Sequence, residues 1–398
     1  MALHQLHIET PSGGPPDKPG WRPFLSYAFR PFYLLAAVQL VLFVALWVFG
    51  FNGTRAMPGF LWHAHEMVWG YAGAVIVGFL LTAVATWTGQ PPLRGAALGG
   101  LAAVWLAARV AFLVVSGSAV PGAVLSVLFY LGAVLALAWP ILVSRNTRNY
   151  VVIPMVALFG ASNVVFHLAL GGVMAADLRL MLHVGLIMVA GVIFFMGLRV
   201  IPFFTARRLA IEQVRHGAAV NIIGVASAFV LAIGVGAGWN VWLMAAVALV
   251  CGGLNLRRLI AWWHPGVLQV PLLWVLFIGY AFTALGIALY GLTLALQPMW
   301  MSAALHLVAV GGVAILTLGM MTRTALGHMG RPLEAPRFLP LAFILAALAT
   351  VTRLVSGISM PADPVLVAIS GVLLCLAFVI YLAAFTGWLL RPRADGKP

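Results

Sequence analysis

The chain has 398 residues, 64% hydrophobic and 8% charged; an ordinary soluble domain carries about 25% charged residues. No soluble fold can hide that much apolar surface, and the alternating pattern of a membrane β-barrel is absent, which leaves an all-α, polytopic membrane bundle. The net charge of +14 does not point to nucleic acid, because the basic residues do not gather on one face but punctuate the gaps between apolar runs.

Residues 1–26 open MALHQLHIETPSGGPPDKPG, a polar stretch rich in Pro and Gly without the apolar core of a signal peptide; they read as a flexible tail. Twelve apolar segments follow, at 27–50, 60–86, 95–115, 120–143, 150–174, 178–204, 217–235, 239–261, 267–292, 298–322, 338–355 and 364–390, forming one transmembrane domain over 27–390. Short connections favour antiparallel neighbours, and 391–398 is a second tail. Of the 22 Lys and Arg residues, 17 fall in the amino-terminal tail, the even-numbered gaps and the carboxy-terminal tail, and 3 (Arg55, Arg179, Arg353) at the opposite ends. By the positive-inside rule both termini are cytoplasmic. Cys251 and Cys375 each lie inside an apolar run and suggest no disulfide framework.

The second segment opens LWHAHEMVWG, with His63, His65 and Glu66 at its outer end. His63, Glu66, Gly70 and Ala74 share one helical face. His65 lies about 200° away with Trp69, Ala72 and Ile76, so a regular helix offers the two histidines to different neighbours. His167 beside Asn163 in the fifth segment, His183 in the sixth and His306 in the tenth sit about 10, 8 and 12 Å from their outer ends at about 1.5 Å per residue. His306 shares a stripe with Ser302, Ala309, Val313 and Thr317. All five intramembrane histidines thus fall in the outer half of a core about 30 Å thick, as if to build one layer. Facing imidazoles in a bundle can hold haem iron, copper or zinc; each can equally be interhelical glue.

Glu66 is the one acid clearly inside a span; it could ligate, orient a histidine or carry protons. Arg109 and Arg199 would each cost about 2.5–3.5 kcal/mol at mid-bilayer, which calls for an anionic partner. Arg199 sits low in the sixth segment, where backbone or a headgroup could serve instead. Arg55 in the first outer gap is placed for an outward haem propionate. Met57, Met67, Met174, Met181, Met299 and Met301 near the outer ends are soft donors by chemistry and gap fillers by habit. His328, in the stretch RTALGHMGRPLEAPR, reads as a solvated loop histidine.

FRPFYLLA, LWHAHEMVWGYAGAVIVGFLLTAVATWTG, GLRVIPFFT and HLVAVGGVAILTLGMMTRTALGHMGR, in that order and spacing, resemble the NnrS family across most of the chain, less closely in segments seven to nine, eleven and twelve. The resemblance implies a multi-pass protein of the bacterial inner membrane that holds haem b, with copper as a further metal, and that binds or consumes nitric oxide in the protection against nitrosative stress, in denitrifiers among others. The family's histidines map onto His63, His65 and His306, and its arginine onto Arg199. Two departures, Ala85-Thr86 where Pro-Asn is expected and Met329 where Thr is expected, remove no candidate ligand. Five imidazoles exceed the need of one haem, so a reductive coupling of two nitric oxide molecules, with protons through Glu66, is conceivable. With no flavin or iron–sulfur site legible, it would need an external electron donor, and turnover of a nitric oxide reductase-like oxidoreductase stays open. No adjacent His-His pair or HPEVY-like stretch supports membership among haem–copper oxidases. The readings from other classes are a secondary transporter and a non-catalytic haem or metal sensor.

Overall fold

The computed structural model describes residues 19–359 and 362–396, and twelve helices among them are long and apolar enough to cross a membrane. They are α1 (Phe29–Val48), α2 (Phe60–Thr88), α3 (Gly95–Val114), α4 (Val120–Val143), α5 (Thr147–Leu170), α6 (Leu178–Leu209), α7 (Ala218–Gly236), α8 (Val241–Trp262), α9 (Pro271–Ala295), α10 (Pro298–His328), α11 (Leu339–Ile358) and α12 (Pro364–Leu389). Among the described residues there is no strand beyond a single bridge between Gly53 and Pro58. The protein is a multi-pass helical membrane protein.

Helix starts follow side-chain capping. Asp177, Asn240 and Asp363 each accept two backbone N–H groups at the heads of α6, α8 and α12, which supplies partners for donors that lipid cannot satisfy. Pro sits in the first turn of α4, α9, α11 and α12, where its missing N–H costs nothing.

The expected boundaries hold to a few residues, with two extensions. α6 runs on to Leu209 and α10 to His328. The last turns of α10 carry Thr322, Arg323 and Thr324, too polar for an apolar run, yet the helix persists because Arg323 lies over the Phe204 ring of α6 at 3.5 Å and Thr322 bonds the Leu318 carbonyl. His328 is therefore the end of a helix rather than a solvated loop residue: it is half-buried against the Tyr27 and Phe29 rings, both at 5.7 Å.

Of the expected tail at 1–26, residues 1–18 lie outside the described residues; Trp21–Phe24 form a helical turn, and Gly20 donates its N–H to the Leu390 carbonyl. Arg30 reaches the Leu389 and Arg391 carbonyls, and the Ala394 N–H bonds the Met329 carbonyl. Both described ends and the foot of α10 thus meet on one face of the bundle, as an even number of spans requires.

α2, α6 and α10 form the centre. Their most apolar stretches are 78%, 67% and 67% buried, against 33% for α3, α4, α7 and α12, which ring them. All three run in the same direction. α2 and α10 both change hand-hold just after a histidine: Glu66–Ala72 and Leu307–Ala314 are π-helical, directly following His65 and His306. A π segment leaves some carbonyls without their usual donor, and π-bulges concentrate at functional sites. In α2 side chains from three other spans supply the missing donors: Gln39 bonds the Glu66 carbonyl at 3.1 Å, Tyr130 that of Trp69 at 2.6 Å and Trp105 that of Gly70 at 3.1 Å. In α10 the Thr317 hydroxyl bonds the Val313 and Ala314 carbonyls.

Candidate functional site

The five intramembrane histidines gather at one end of the bundle, at the heads of α2, α6 and α10 and the foot of α5, but as two groups rather than one layer. His63, His183 and His306 line a chamber of about 480 Å³ enclosed by α1, α2, α6, α10, α11 and α12. His65 and His167 meet outside it, between α2 and α5.

The chamber is mostly apolar, with walls that include Leu40, Val44, Leu186, Leu305 and Leu374. The small residues foreseen on α10, Ser302, Ala309 and Val313, do face it together with His306. The volume falls in the range of about 300–1,000 Å³ usual for cofactor-sized ligands. Three features make its histidines available. His306 donates Nδ1–H to the Ser302 carbonyl at 2.8 Å, which fixes the tautomer and leaves the Nε2 lone pair free. His63 stacks on Trp47 with ring centroids 4.8 Å apart, and its Nδ1 has no partner. His183 pairs through Nδ1 with the Tyr290 hydroxyl at 3.3 Å.

Two arginines complete the wall. Arg353 of α11 gives one nitrogen to the Ser302 hydroxyl at 3.0 Å, while its other terminal nitrogen is buried with no partner. Arg179, at the head of α6, lies over the Phe60 ring at 5.2 Å. Neither was singled out as a chamber residue from the sequence, although an arginine inside the apolar run of α11, near the same end as the histidines, is a readable signal. Arg55, proposed for this purpose, is exposed and does not line the chamber. Of the outer-end methionines, Met67 does.

The second group is a buried polar network in which Gln39 Oε1, Asn163 Oδ1 and His167 Nδ1 keep no partner. His65 and Glu66 are both fully buried. His65 donates Nδ1–H to Glu66 Oε1 at 2.9 Å, so its Nε2 carries the lone pair. That Nε2 faces His167 Nε2 at 3.1 Å and the Asn163 amide at 3.1 Å. Phe112 stacks flat on His167 at 5.3 Å. Arg109 stands 3.1 Å from Glu66 Oε1, close enough for an ion pair though off the hydrogen-bond axis, and is held by the Ser126 hydroxyl. Gln39 bonds the other carboxylate oxygen at 3.1 Å. Glu66 and Arg109 thus neutralise each other, which answers the demand of Arg109 for an anion. Gly70 makes the network possible: a Cβ there would overlap the side-chain nitrogens of Arg109 and Gln39.

The helical-phase expectation holds in part. His63 and His65 do address different neighbours. Glu66, however, serves His65, its neighbour in sequence, and not His63. Glu66 does not line the chamber. Arg199 lies at the far end of α6, bonded to the Asn149 side chain at 2.6 Å and the Arg148 carbonyl at 3.1 Å, with Phe195 beneath it at 4.2 Å. It is satisfied by local groups and takes no part in the chamber.

Fold and site together define a class: a twelve-span membrane protein with a histidine- and arginine-lined chamber opening at one end of its core. Residues 23–393 match the family model described as NnrS protein, and the chain belongs to the NnrS family. Among curated proteins no relative matches it.

Proposed function

We propose that the chamber holds a haem b and that the protein binds nitric oxide there, in the bacterial inner membrane, as part of protection against nitrosative stress. The observation that carries this reading is the set of unsatisfied groups around one apolar cavity: a His306 lone pair freed by its own carbonyl bond, a His63 nitrogen without a partner, and a buried Arg353 nitrogen without an anion. The residues present fit the group. His306, from α10, would be its imidazole ligand, and His63, from α2, lines the same chamber. Arg353 and Arg179 would take the two propionates, with the planar cations suited to carboxylates. Bound haem would supply an iron able to bind a diatomic ligand.

The chain's own part is positional. Ser302 fixes the His306 ring, Trp47 clamps His63 and the aliphatic walls keep water out. The His65–His167 pair fits a second metal, copper by the family resemblance: two Nε2 atoms 3.1 Å apart match neighbouring imidazole ligands of one ion, at about 2.0–2.1 Å from each nitrogen. Glu66 is a positioning residue in that reading, since it sets the His65 tautomer and touches nothing in the chamber. The excess of basic residues on the opposite end supports termini in the cytoplasm and a chamber toward the periplasm.

The test is haem and metal content of the purified protein with an optical spectrum before and after nitric oxide. The reading expects a Soret band that shifts on exposure. A colourless preparation, or a haem spectrum indifferent to nitric oxide, overturns it.

A further inference from the structure

Below the histidine chamber lies a second void of about 90 Å³ between α1, α2, α6, α9 and α10. It occupies the middle of the bundle, and its wall is carbon almost throughout: Val75, Phe79, Val192, Ile193 and Met196 are representative. Interiors are packed to crystal density, so a void this size is a cost that the helices have not collapsed to avoid. Water does not fill it well, because a buried water needs two to four polar partners. Two hydroxyls belong to its wall residues: that of Thr317 is already engaged with the Val313 and Ala314 carbonyls and with the Tyr71 hydroxyl, at 2.5 Å, and that of Tyr33, buried without a partner, is one group where a water needs at least two. Apolar cavities of comparable size stay dry and take up small apolar guests such as xenon.

Its position is as informative as its lining. The void and the chamber share two wall residues, Ala72 and Val313. Both sit at the ends of the π-helical segments, Ala72 as the last residue of one and Val313 as the last but one of the other. The Tyr71–Thr317 hydrogen bond ties α2 to α10 beside this wall, joining a chamber residue to one of the void.

We propose that the void is a docking site for a small, uncharged, apolar gas molecule of diatomic size, and that it communicates with the histidine chamber across the Ala72–Val313 wall, with the Tyr71–Thr317 bond as its latch. A gas that partitions into lipid would be held at mid-bilayer next to the chamber and would reach it without crossing the charged rim at Arg353 and Arg179. The docking site stands on the void alone; its role as a supply to the chamber rests on the haem reading.

The probe is xenon. Crystals of the full chain under xenon pressure should show an anomalous peak between Ile193 and Val313, and the Met196→Trp variant, which fills the space, should lose it. Ile193→Phe is the milder variant if the first does not fold. Density for water or an acyl chain in the void, or xenon bound only in the chamber, overturns the docking site. In protein that carries haem, carbon monoxide association after flash photolysis should slow at least threefold in Met196→Trp, which leaves every chamber residue in place, while haem content stays that of wild type. An unchanged rate in that variant overturns the supply route. Haem-free protein leaves the xenon measurement intact, so failure of the haem reading and failure of the docking site are separate results.

Discussion

Two arginines buried within spans make an instructive pair. Arg353 in α11 has one nitrogen on the Ser302 hydroxyl, one bare, and a large cavity in front of it. Arg258 in α8 is more deeply buried, fully excluded from solvent, yet faces no cavity. Both its terminal nitrogens are bonded, to Asn255 Oδ1 at 2.8 Å and to the Val220 carbonyl, with Gly224 packed against the guanidinium and only Nε left without a partner, and Tyr280 donates to the same Asn255 oxygen at 2.5 Å. Asn255 in turn donates to the Gly224 and Cys251 carbonyls at 2.8 Å each. Both clusters put a cation where lipid would reject it. One ties α7, α8 and α9 together; the other borders the chamber. Polarity inside a membrane marks cost, and only free donor atoms beside empty space mark a ligand.

The sharpest way to break this contrast is His306→Ala, which should remove nearly all bound haem, measured as haem per protein by optical spectroscopy; retained colour would move the ligand elsewhere. Next comes Glu66→Ala, which strands the buried Arg109 and should cost roughly 3–5 kcal/mol of stability, read as a lower thermal midpoint in detergent. Arg353→Gln should keep the midpoint near wild type but reduce haem retention by about tenfold, the 1.4 kcal/mol scale of one charge-assisted contact. Asn255→Ala should do the opposite, lowering the midpoint by about 1–3 kcal/mol of lost buried hydrogen bonding with haem content unchanged. If Arg353→Gln and Asn255→Ala behave alike in both measurements, the distinction between glue and site fails. Arg55→Ala is the smallest effect expected: neither haem content nor midpoint should move, since Arg55 is exposed and away from the chamber.

The histidines and the number of spans were legible because each is a local property. An apolar run of bilayer length is its own signal, and an imidazole inside it stands out against hydrocarbon. The α10 stripe of Ser302, His306, Ala309 and Val313 was legible for the same reason, since ordinary helical phase holds up to His306 and the wall residues keep one side. The partnership of Glu66 with His65 was not, because the carboxylate is held in place by Arg109 and Gln39 from two other helices. Nor was the choice of Arg353 over Arg55: sequence gives the end of the bundle at which an arginine sits, and not which helix faces the cavity. The void beside the chamber left no trace at all, being a space between aliphatic residues that read as ordinary core.

From composition and periodicity alone followed the membrane, the twelve helices, the even topology and the end of the bundle where the imidazoles collect, because the solvent acts on each segment separately. Packing alone decided that five histidines form a chamber of three and a pair of two, that Glu66 and Arg109 neutralise each other, and that α2, α6 and α10 stand at the centre. Those outcomes depend on which faces meet, and a segment read by itself carries no record of its neighbours.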